Sequence, residues 1–180
     1  TAVGAPGTTN IGVGNAGPTI TEVSHSPLLP QAGTPITIRA RITDPDDVLS
    51  ARVRYRIDPN SSLSQVTMTN AGDGFYTATI PGQPDGTLIA FHLLTIDNAA
   101  PKVISNFPDN APDRECLIRV GAQNEAGDFS TMHLWATNET LVEWRDRPRS
   151  SNLQLDVTFV SEGRAFYNVG AYYAGSQNGV

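Results

Sequence analysis

Alternating apolar and polar residues mark the chain between residues 18 and 120. In ITIRARI, at Ile36–Ile42, every second side chain is apolar, and ARVRYRI, at Ala51–Ile57, repeats the pattern. A period of two residues over such a stretch is typical of a strand with one buried face. Together with the continuous apolar run LIAFHLLTI, which favours a central strand, the pattern predicts seven strands: Thr19–Ser24, Ile36–Ile42, Ala51–Ile57, Gln65–Thr69, Phe75–Ile80, Leu88–Ile96 and Cys116–Val120.

Turn-forming residues separate these strands at short intervals. Asp44-Pro45, Gly72-Asp73-Gly74 and Gly82–Gly86 favour tight turns, and Asp97–Glu115 predicts a long irregular connection. Many short strands separated by turns are typical of a β-sandwich. We therefore expect a mainly β fold, with a seven-stranded immunoglobulin-like or fibronectin type III-like sandwich over residues 18–120. The paired cysteines of antibody domains are absent.

Two stretches follow neither the strand period nor the helix period. Residues 1–17 and 121–128 are rich in small and polar residues, a composition that favours linkers over packed elements. We interpret residues 1–17 as a flexible linker or tail and residues 121–128 as a second linker. A second interpretation of residues 1–17 is an extended segment that pairs with a partner chain.

A different pattern begins at residue 129. Leu153–Val160 and Ala165–Ala174 alternate as strands, with a hairpin turn at Ser161–Arg164 between them, and Thr131–Trp135 predicts a further short strand.

A helix is predicted between the strands Thr131–Trp135 and Leu153–Val160. Glu139–Arg147 has apolar residues near helical spacing, with Asn138 as the N-cap and Pro148 as the stop. We expect Trp144 on this helix to face the core. Residues 129–180 therefore predict a small, incomplete α+β segment. Its open apolar edge would be covered by the remainder of the same chain or by neighbouring subunits.

Composition narrows the class of protein. Of the 180 residues, 39% are apolar and 17% are charged, which favours a buried core over disorder. No apolar run approaches the ~18 residues of a membrane-spanning helix. Eighteen acidic and twelve basic residues give a net charge of −6, which argues against generic nucleic-acid binding. The single Cys116 excludes an internal disulfide and cysteine-based zinc sites.

Both ends of the sequence suggest a piece of a longer protein. The chain begins at Thr1 without a signal-peptide pattern, and it stops at Val180 within a glycine- and asparagine-rich stretch. We therefore expect both ends to be cuts.

Acidic side chains cluster in two predicted loops. Asp44, Asp46 and Asp47 follow the second strand, and Asp97 follows the sixth. In an immunoglobulin-like sandwich these two loops lie at the same pole. Carboxylate oxygens are the ligands that Ca²⁺ prefers, so these four residues are the candidate metal ligands and Ca²⁺ is the candidate cofactor. The alternative is ordinary turn chemistry, because aspartate favours turns without a metal.

Arginines alternate along two predicted strands. Arg39 and Arg41 occupy one strand, and Arg52, Arg54 and Arg56 occupy the next. The pattern predicts a solvated face with cross-strand ion pairs. The alternative is a stripe that binds a polyanion or a glycan.

The remaining candidates for chemistry do not form a catalytic pattern. His25, His92 and His133 are scattered without metal-ligand spacing, so we expect packed or solvent-facing rings. Cys116 begins an apolar strand, where a buried, inert thiol is expected. Nucleophile-elbow, zinc-protease and P-loop motifs are absent from the sequence.

Two parts of the chain resemble known extracellular modules. GDGFYTATIPGQPDG at Gly72–Gly86, with IAFHLLTIDN at Ile89–Asn98, resembles the immunoglobulin-like modules of secreted bacterial multidomain proteins. HLW, NLQLDVTFV and AFYNVGAYYAGS, the last at Ala165–Ser176, resemble the beginning of the CotH-kinase family, which has the spore-coat protein H-like fold. The resemblance covers most of residues 19–176, and its most specific part is YNVGAYYAGS.

The resemblance to the CotH-kinase family implies where catalytic residues would lie. Active members resemble protein kinases, and their ATP-binding lysine and catalytic acids would follow a strand such as Ala165–Ala174. Gly175-Ser176 aligns with the family's early Gly-Ser element, and Lys102, the only lysine, lies in the first module. Phosphoryl transfer needs positioning and metal-assisted charge stabilisation. We therefore expect neither catalytic nor cofactor-binding residues within this stretch.

These interpretations predict a non-catalytic structural, spacer or adhesion module of a secreted or cell-surface bacterial multidomain protein. We expect an extracellular or cell-surface location, a protein or glycan partner, no nucleic acid and no membrane span. One alternative is an accessory region of a CotH-like kinase whose catalytic residues lie beyond Val180. Another is a strand-exchanging subunit of an extracellular assembly.

Overall fold

Antiparallel strands make up about half of the described residues, and the predicted mainly β fold is confirmed. The computed structural model describes residues 15–126, 130–148 and 151–172. The elements in chain order are β1 (Thr19–Ser26), β2 (Ile36–Thr43), β3 (Val48–Asp58), β4 (Ser64–Thr67), β5 (Thr69–Gly72), β6 (Phe75–Ile80), β7 (Leu88–Asp97), β8 (Ile104–Phe107), β9 (Cys116–Arg119), β10 (His133–Trp135), α1 (Asn138–Asp146), β11 (Leu155–Ser161) and β12 (Arg164–Ala171).

The described strands form three sheets. The front sheet has the order β1-β2-β6-β5, and the back sheet has the order β4-β3-β7-β8. Strand β9 pairs the first half of β7, beside β8 on the same edge. The third sheet has the order β10-β11-β12. The order in the first two sheets is that of strands A, B, E and D against C′, C, F and G in the immunoglobulin fold.

The main core lies between the front and back sheets. Every second residue of β2 is buried, as the alternation in its sequence requires. The facing side chains come mainly from β3, β7 and β9, and Phe91 is the largest of the fully buried ones. The buried members of this core are Ile36, Ile38, Ala40, Ile42, Ala51, Val53, Met68, Ala78, Ile80, Ile89, Phe91, Leu93, Cys116, Ile118 and Val120.

The sandwich contains nine strands, so the prediction of seven was wrong. The predicted strand Gln65–Thr69 is two strands, because β4 pairs β3 in the back sheet and β5 pairs β6 in the front sheet. The chain crosses between the sheets at Met68, whose N–H donates to the Ala51 carbonyl at 2.9 Å. Strand β8 lies in the predicted irregular connection. It has four residues and lies at the edge of the sheet, and its Ile104 is 57% exposed. Its sequence therefore shows no alternation of apolar and polar residues.

The C-terminal segment forms the three predicted strands. Glu162 and Gly163, with φ angles of 51° and 76°, make the tight turn between β11 and β12. A bulge places both Tyr167 and Asn168 opposite Thr158. The bulge lets two neighbouring side chains of β12 point toward the sandwich.

The helix differs from its prediction at both ends. Its N-cap is Thr137 and not Asn138, because Thr137 Oγ1 accepts the N–H of Thr140 at 3.1 Å. It ends at Asp146, one residue earlier than predicted. None of its residues is buried. Trp144 is half-buried, so the prediction that it faces the core was wrong. This helix is too short to cross a membrane, and the described residues contain no other candidate for a span.

Parts of the predicted linkers are described. Asn15 donates its side-chain N–H to Asp97, so the end of the predicted N-terminal linker contacts the sandwich. Residues 121–126 contain no strand or helix, as a linker would. The predictions for residues 1–14, for residues 127–128 and for Gly175-Ser176 lie outside the described residues.

Candidate functional site

The third sheet packs against the sandwich, and we call this contact region the seam. An apolar cluster fills it, in which Leu88, Ala90 and Leu117 of the back sheet pack with Trp135 and Val160 of the third sheet. Strand β7 is therefore covered on both faces, which explains why its sequence is continuously apolar. The seam joins the two parts of the protein through a buried core of its own.

Side chains of β11 close the free edge of β9. The Leu117 N–H donates to Thr158 Oγ1 at 2.9 Å, and the Glu115 N–H donates to Asp156 Oδ2 at 3.3 Å. The two donors are two residues apart along the chain, and so are the two acceptors. Strand β11 therefore pairs with this edge through its side chains and not through its backbone. An unpaired strand edge invites the addition of foreign strands, and the third sheet covers this one.

His25 of β1 and Tyr167 of β12 meet at one side of the seam. His25 is 7% exposed, its Nε2 donates to the Leu28 carbonyl at 2.9 Å, and the Tyr167 hydroxyl donates to its Nδ1. The Tyr167 ring also lies edge-on to Phe91, with 5.5 Å between the ring centroids. Both hydrogen bonds can be made by a neutral imidazole, and burial, which favours that form, lowers the pKa of His25 to about 4.

Burial acts in the opposite direction on two acidic groups near this pair. It raises the pKa of the Tyr167 hydroxyl well above its ordinary value, which keeps the phenol a hydrogen-bond donor. It also raises the pKa of the Cys116 thiol. Cys116 is fully buried, so the prediction of a buried, inert thiol is confirmed.

A groove of about 800 Å³ opens where β3, the connection from β8 to β9, α1 and the start of β11 meet. Arg56 is bound there by two carboxylates, with Glu115 Oε2 at 2.7 Å and Asp58 Oδ1 at 3.1 Å. Asp58 Oδ2 also accepts the N–H of Asn138 at 2.8 Å. This network ties the first turn of α1 to the sandwich.

Carboxylates outnumber cations in this groove. Arg114 Nη1 donates to Asn168 Oδ1 at 3.1 Å. Burial raises the pKa of Asp156, whose Oδ1 is buried without a hydrogen-bond partner. The charged lining residues are Arg56, Asp58, Asp113, Arg114, Glu115, Glu139, Glu143 and Asp156.

The two acidic loops meet at one pole. The Asp47 carbonyl accepts the N–H of Asn98 at 2.9 Å. Asp44 Oδ1 accepts the N–H of Asp46 at 2.8 Å, which is the turn chemistry described above. Asp97 is fully buried, and its carboxylate accepts hydrogen bonds from within the protein.

Calcium binding gains no support from this arrangement. One Asp97 oxygen accepts the N–H of Val103 at 2.8 Å, and the other accepts from Asn15. Within residues 15–126, 130–148 and 151–172, no group of three or more His, Cys, Asp or Glu side chains is arranged to hold a metal ion. A Ca²⁺ site at Asp44, Asp46, Asp47 and Asp97 stays a prediction, which a calorimetric titration without heat would remove.

The arginine rows lie in different sheets, because β2 belongs to the front sheet and β3 to the back sheet. The predicted cross-strand ion pair is confirmed for Arg41, whose Nε lies 2.6 Å from Glu22 Oε1. Arg56 pairs instead with Asp58 of its own strand and with Glu115 before β9, away from a solvated face. Arg39 and Arg41 also stack on Phe75, with 3.3 and 4.1 Å from Cζ to the ring centroid. The five arginines therefore do not form one stripe.

The three histidines are packed or hydrogen-bonded, as predicted. His92 is 3% exposed, and its pKa is lowered by burial and by the nearby Arg54. His133 Nε2 lies 3.1 Å from Asn124 Oδ1.

The outer face of the third sheet carries an apolar row, formed by Leu134, Phe159 and Phe166. The three residues are cross-strand neighbours on β10, β11 and β12. Leu134 is 52% exposed and Phe166 is 46% exposed, and the rings of Phe159 and Phe166 lie 6.1 Å apart. Because side chains alternate along a strand, this row points away from Val160, which packs in the seam. Exposed apolar rows on ordered sheets are typical of interaction surfaces.

No protein-family model matches the chain, and no curated protein matches it. The resemblance to immunoglobulin-like modules and to the CotH-kinase family therefore supports only a proposal.

The residues of the seam were missed by the sequence analysis. The sequence contained one indication of the seam. Leu88–Ile96 is apolar on both faces, so a second layer of protein must pack on the face that points away from the main core. The partners themselves gave no local signal. His25 and Tyr167, for example, are 142 positions apart, a separation that no periodicity bridges.

Proposed function

We propose that this chain is a non-catalytic structural module of a secreted or cell-surface bacterial multidomain protein. The sandwich acts as a rigid spacer that carries the third sheet, and the apolar row receives further protein of the same multidomain chain. The observation that carries the proposal is the two-sided third sheet. One face is fastened in the seam, while the other exposes Leu134 and Phe166.

The composition of the seam supports a rigid spacer. Domains that meet through small polar contacts move relative to one another, whereas an apolar interface restrains them. Here Trp135 and Val160 are buried against the back sheet, and Thr158 and Asp156 bind backbone N–H groups of the sandwich. Apolar packing then supplies the adhesion and the hydrogen bonds supply the register.

The location of the titratable groups supports a structural role over catalysis. Catalytic groups with shifted pKa values gather in a cleft. Here His25 and Cys116 lie in the packed interior, with the half-buried Tyr167 packed against it, and Arg56 of the groove is neutralised by two carboxylates. Asp156 is the carboxyl of the groove with a raised pKa, and its Oδ2 accepts the Glu115 N–H.

Nuclear magnetic resonance relaxation of the labelled protein tests the rigid spacer. We expect backbone ¹⁵N relaxation to give one rotational correlation time for β2, β7, β11 and β12. A separate, shorter correlation time for β11 and β12 would contradict the proposal. Addition of Mg²⁺–ATP to the same sample should leave the spectrum unchanged, and shifts at residues of the groove would contradict a non-catalytic role.

A second candidate is an accessory region of a CotH-like kinase whose catalytic residues lie beyond Val180. The apolar row favours it, because a sheet that begins a larger domain exposes the face on which the rest of that domain packs. Intact-mass measurement of the protein purified from its source separates the candidates. A chain that continues past Val180 with a lysine and acidic metal ligands supports the kinase, and one that ends there excludes it.

A further inference from the structure

A pair of polar side chains, the buried His25 and the half-buried Tyr167, connects β1 of the sandwich to β12 of the third sheet. The Tyr167 hydroxyl donates to His25 Nδ1, and His25 Nε2 donates to the Leu28 carbonyl. Both ring nitrogens are therefore used, one as acceptor and one as donor. A second proton on the ring would make Nδ1 a donor, so the Tyr167 hydroxyl would have to turn and accept, and the ring would carry a positive charge inside the seam.

Among the described residues, no carboxylate forms an ion pair with His25 that would balance an imidazolium. The Trp135 ring of β10 lies 6.5 Å from the His25 ring and the Tyr167 ring lies 5.9 Å from it. Strand β2 presents Ile38 as its cross-strand partner. The other titratable groups around the pair are Cys116, which lies near Tyr167, and His133, whose ring is 6.1 Å from that of Trp135.

We propose that His25 and Tyr167 form an acid-sensitive latch, in which a proton from water binds His25 Nδ1, places an unbalanced positive charge inside the seam and releases the third sheet from the sandwich. The latch rests on the geometry of the seam and does not depend on the proposed function. Release at the seam exposes His25 to water and leaves its strand paired with β2. Unfolding of the sandwich is not required.

The direction of the pH effect follows from the two states of His25. In the closed state the pKa of His25 is about 4, and in an open, hydrated state it returns to its ordinary 6.5. The open state binds the proton more tightly, so acidification favours opening between these two values. With these two pKa values, the equilibrium constant for opening rises about fiftyfold between about pH 7 and about pH 4.5.

One group in the seam opposes this effect. Burial raises the pKa of Asp156 in the closed state, so a proton on that carboxyl stabilises the seam. The measured increase in seam opening on acidification is therefore the increase caused by His25 minus the decrease caused by Asp156.

Hydrogen exchange at two sets of amides tests the latch. The Leu117 N–H is bound by Thr158 across the seam, whereas the amides that join β2 to β6 lie within the sandwich. We expect the protection factor of Leu117 to fall at least tenfold from pH 7 to pH 4.5, while those of β2 stay within twofold. Ring ¹⁵N spectra should give a His25 pKa well below 6.5 with the proton on Nε2.

Two substitutions and a matched control complete the test. His25→Gln keeps a donor for Leu28 but cannot titrate, so the loss of Leu117 protection in acid should disappear. Tyr167→Phe removes a hydrogen bond that holds the closed seam together, so opening should move to higher pH, and this variant suffices if His25→Gln does not fold. His133→Gln should leave the pH dependence unchanged.

Three results would overturn the latch. One is a His25 pKa near 6.5 in the closed protein. Another is an unchanged pH dependence in His25→Gln. The third is a parallel loss of protection in β2, which would mean acid unfolding of the sandwich instead of release at the seam.

Discussion

The sandwich and the third sheet differ in how completely they bury their apolar side chains. In residues 15–126 the exposed large apolar residues are Leu49, Leu63 and Ile104. The shorter described stretches from 130 to 172 expose Met132, Leu134, Leu141, Val142, Leu153, Phe166 and Tyr172.

This difference follows from the number of layers in each part. The sandwich closes its core between two sheets, so alternation along each strand satisfies both faces. The third sheet is covered on one face by the sandwich, and α1 buries none of its residues. The sandwich therefore carries its own stability, whereas the third sheet depends on the seam.

The largest effect is expected from truncating the main core. Phe91→Ala removes a fully buried ring and should lower the free energy of unfolding by about 4 kcal/mol. Phe166→Ala, at an aromatic ring that is 46% exposed, should cost less than ~1 kcal/mol. Urea denaturation measures both. Equal losses would contradict a self-sufficient sandwich beside a dependent third sheet.

A smaller effect is expected at the charged network of the groove. Glu115 binds Arg56 through both carboxylate oxygens, at 2.7 to 3.2 Å. Glu115→Gln leaves the largely buried guanidinium partly uncompensated and should cost about 2 kcal/mol. Glu22→Gln is the matched control, because its ion pair with Arg41 is on the surface, and it should change the free energy by less than ~0.5 kcal/mol. A neutral result for Glu115→Gln would mean that the network does not hold the groove.

The sandwich could be predicted from its sequence wherever one face of a strand is buried. The predicted bounds of β6 agree with the observed Phe75–Ile80, and those of β2 and β7 are short by one residue at one end. In β2 and β6 the period of two follows from contact with the main core, whereas the continuous apolar run of β7 follows from cover on both faces.

Elements that depend on distant or exposed partners could not be predicted. Strand β8 is a short edge strand, and the break at Met68 depends on which sheet each half pairs with. Thr137 and Asn138 are both good N-caps, and only the contact with Thr140 decides between them. The seam depends on His25 meeting Tyr167 and on Thr158 meeting Leu117, and local patterns do not record such pairs.

A still smaller, local effect is expected where β11 caps β9. Thr158→Val keeps the shape of a fully buried side chain and leaves the Leu117 N–H without its acceptor, at a cost of about 1.5 kcal/mol. Hydrogen exchange should become faster at Leu117 and remain unchanged in β2. Thr79→Val, at an exposed position of β6, is the matched control and should stay within ~0.5 kcal/mol. Faster exchange throughout the sandwich would contradict a cap that belongs to the seam alone.

The smallest change in stability is expected at the apolar row, where the effect should be on the surface instead. The double substitution Leu134→Ser with Phe166→Ser removes two exposed apolar side chains, so the free energy of unfolding should change by less than ~1 kcal/mol. Binding of a fluorescent hydrophobic dye should fall to roughly half. Leu49→Ser, at an exposed apolar residue of the sandwich, should leave dye binding nearly unchanged. If the double variant binds as much dye as the unsubstituted protein, the row is not the open surface. The unsubstituted protein could instead sediment as a dimer and the double variant as a monomer. In that case a second copy of the chain covers the row, and further protein of the same chain does not.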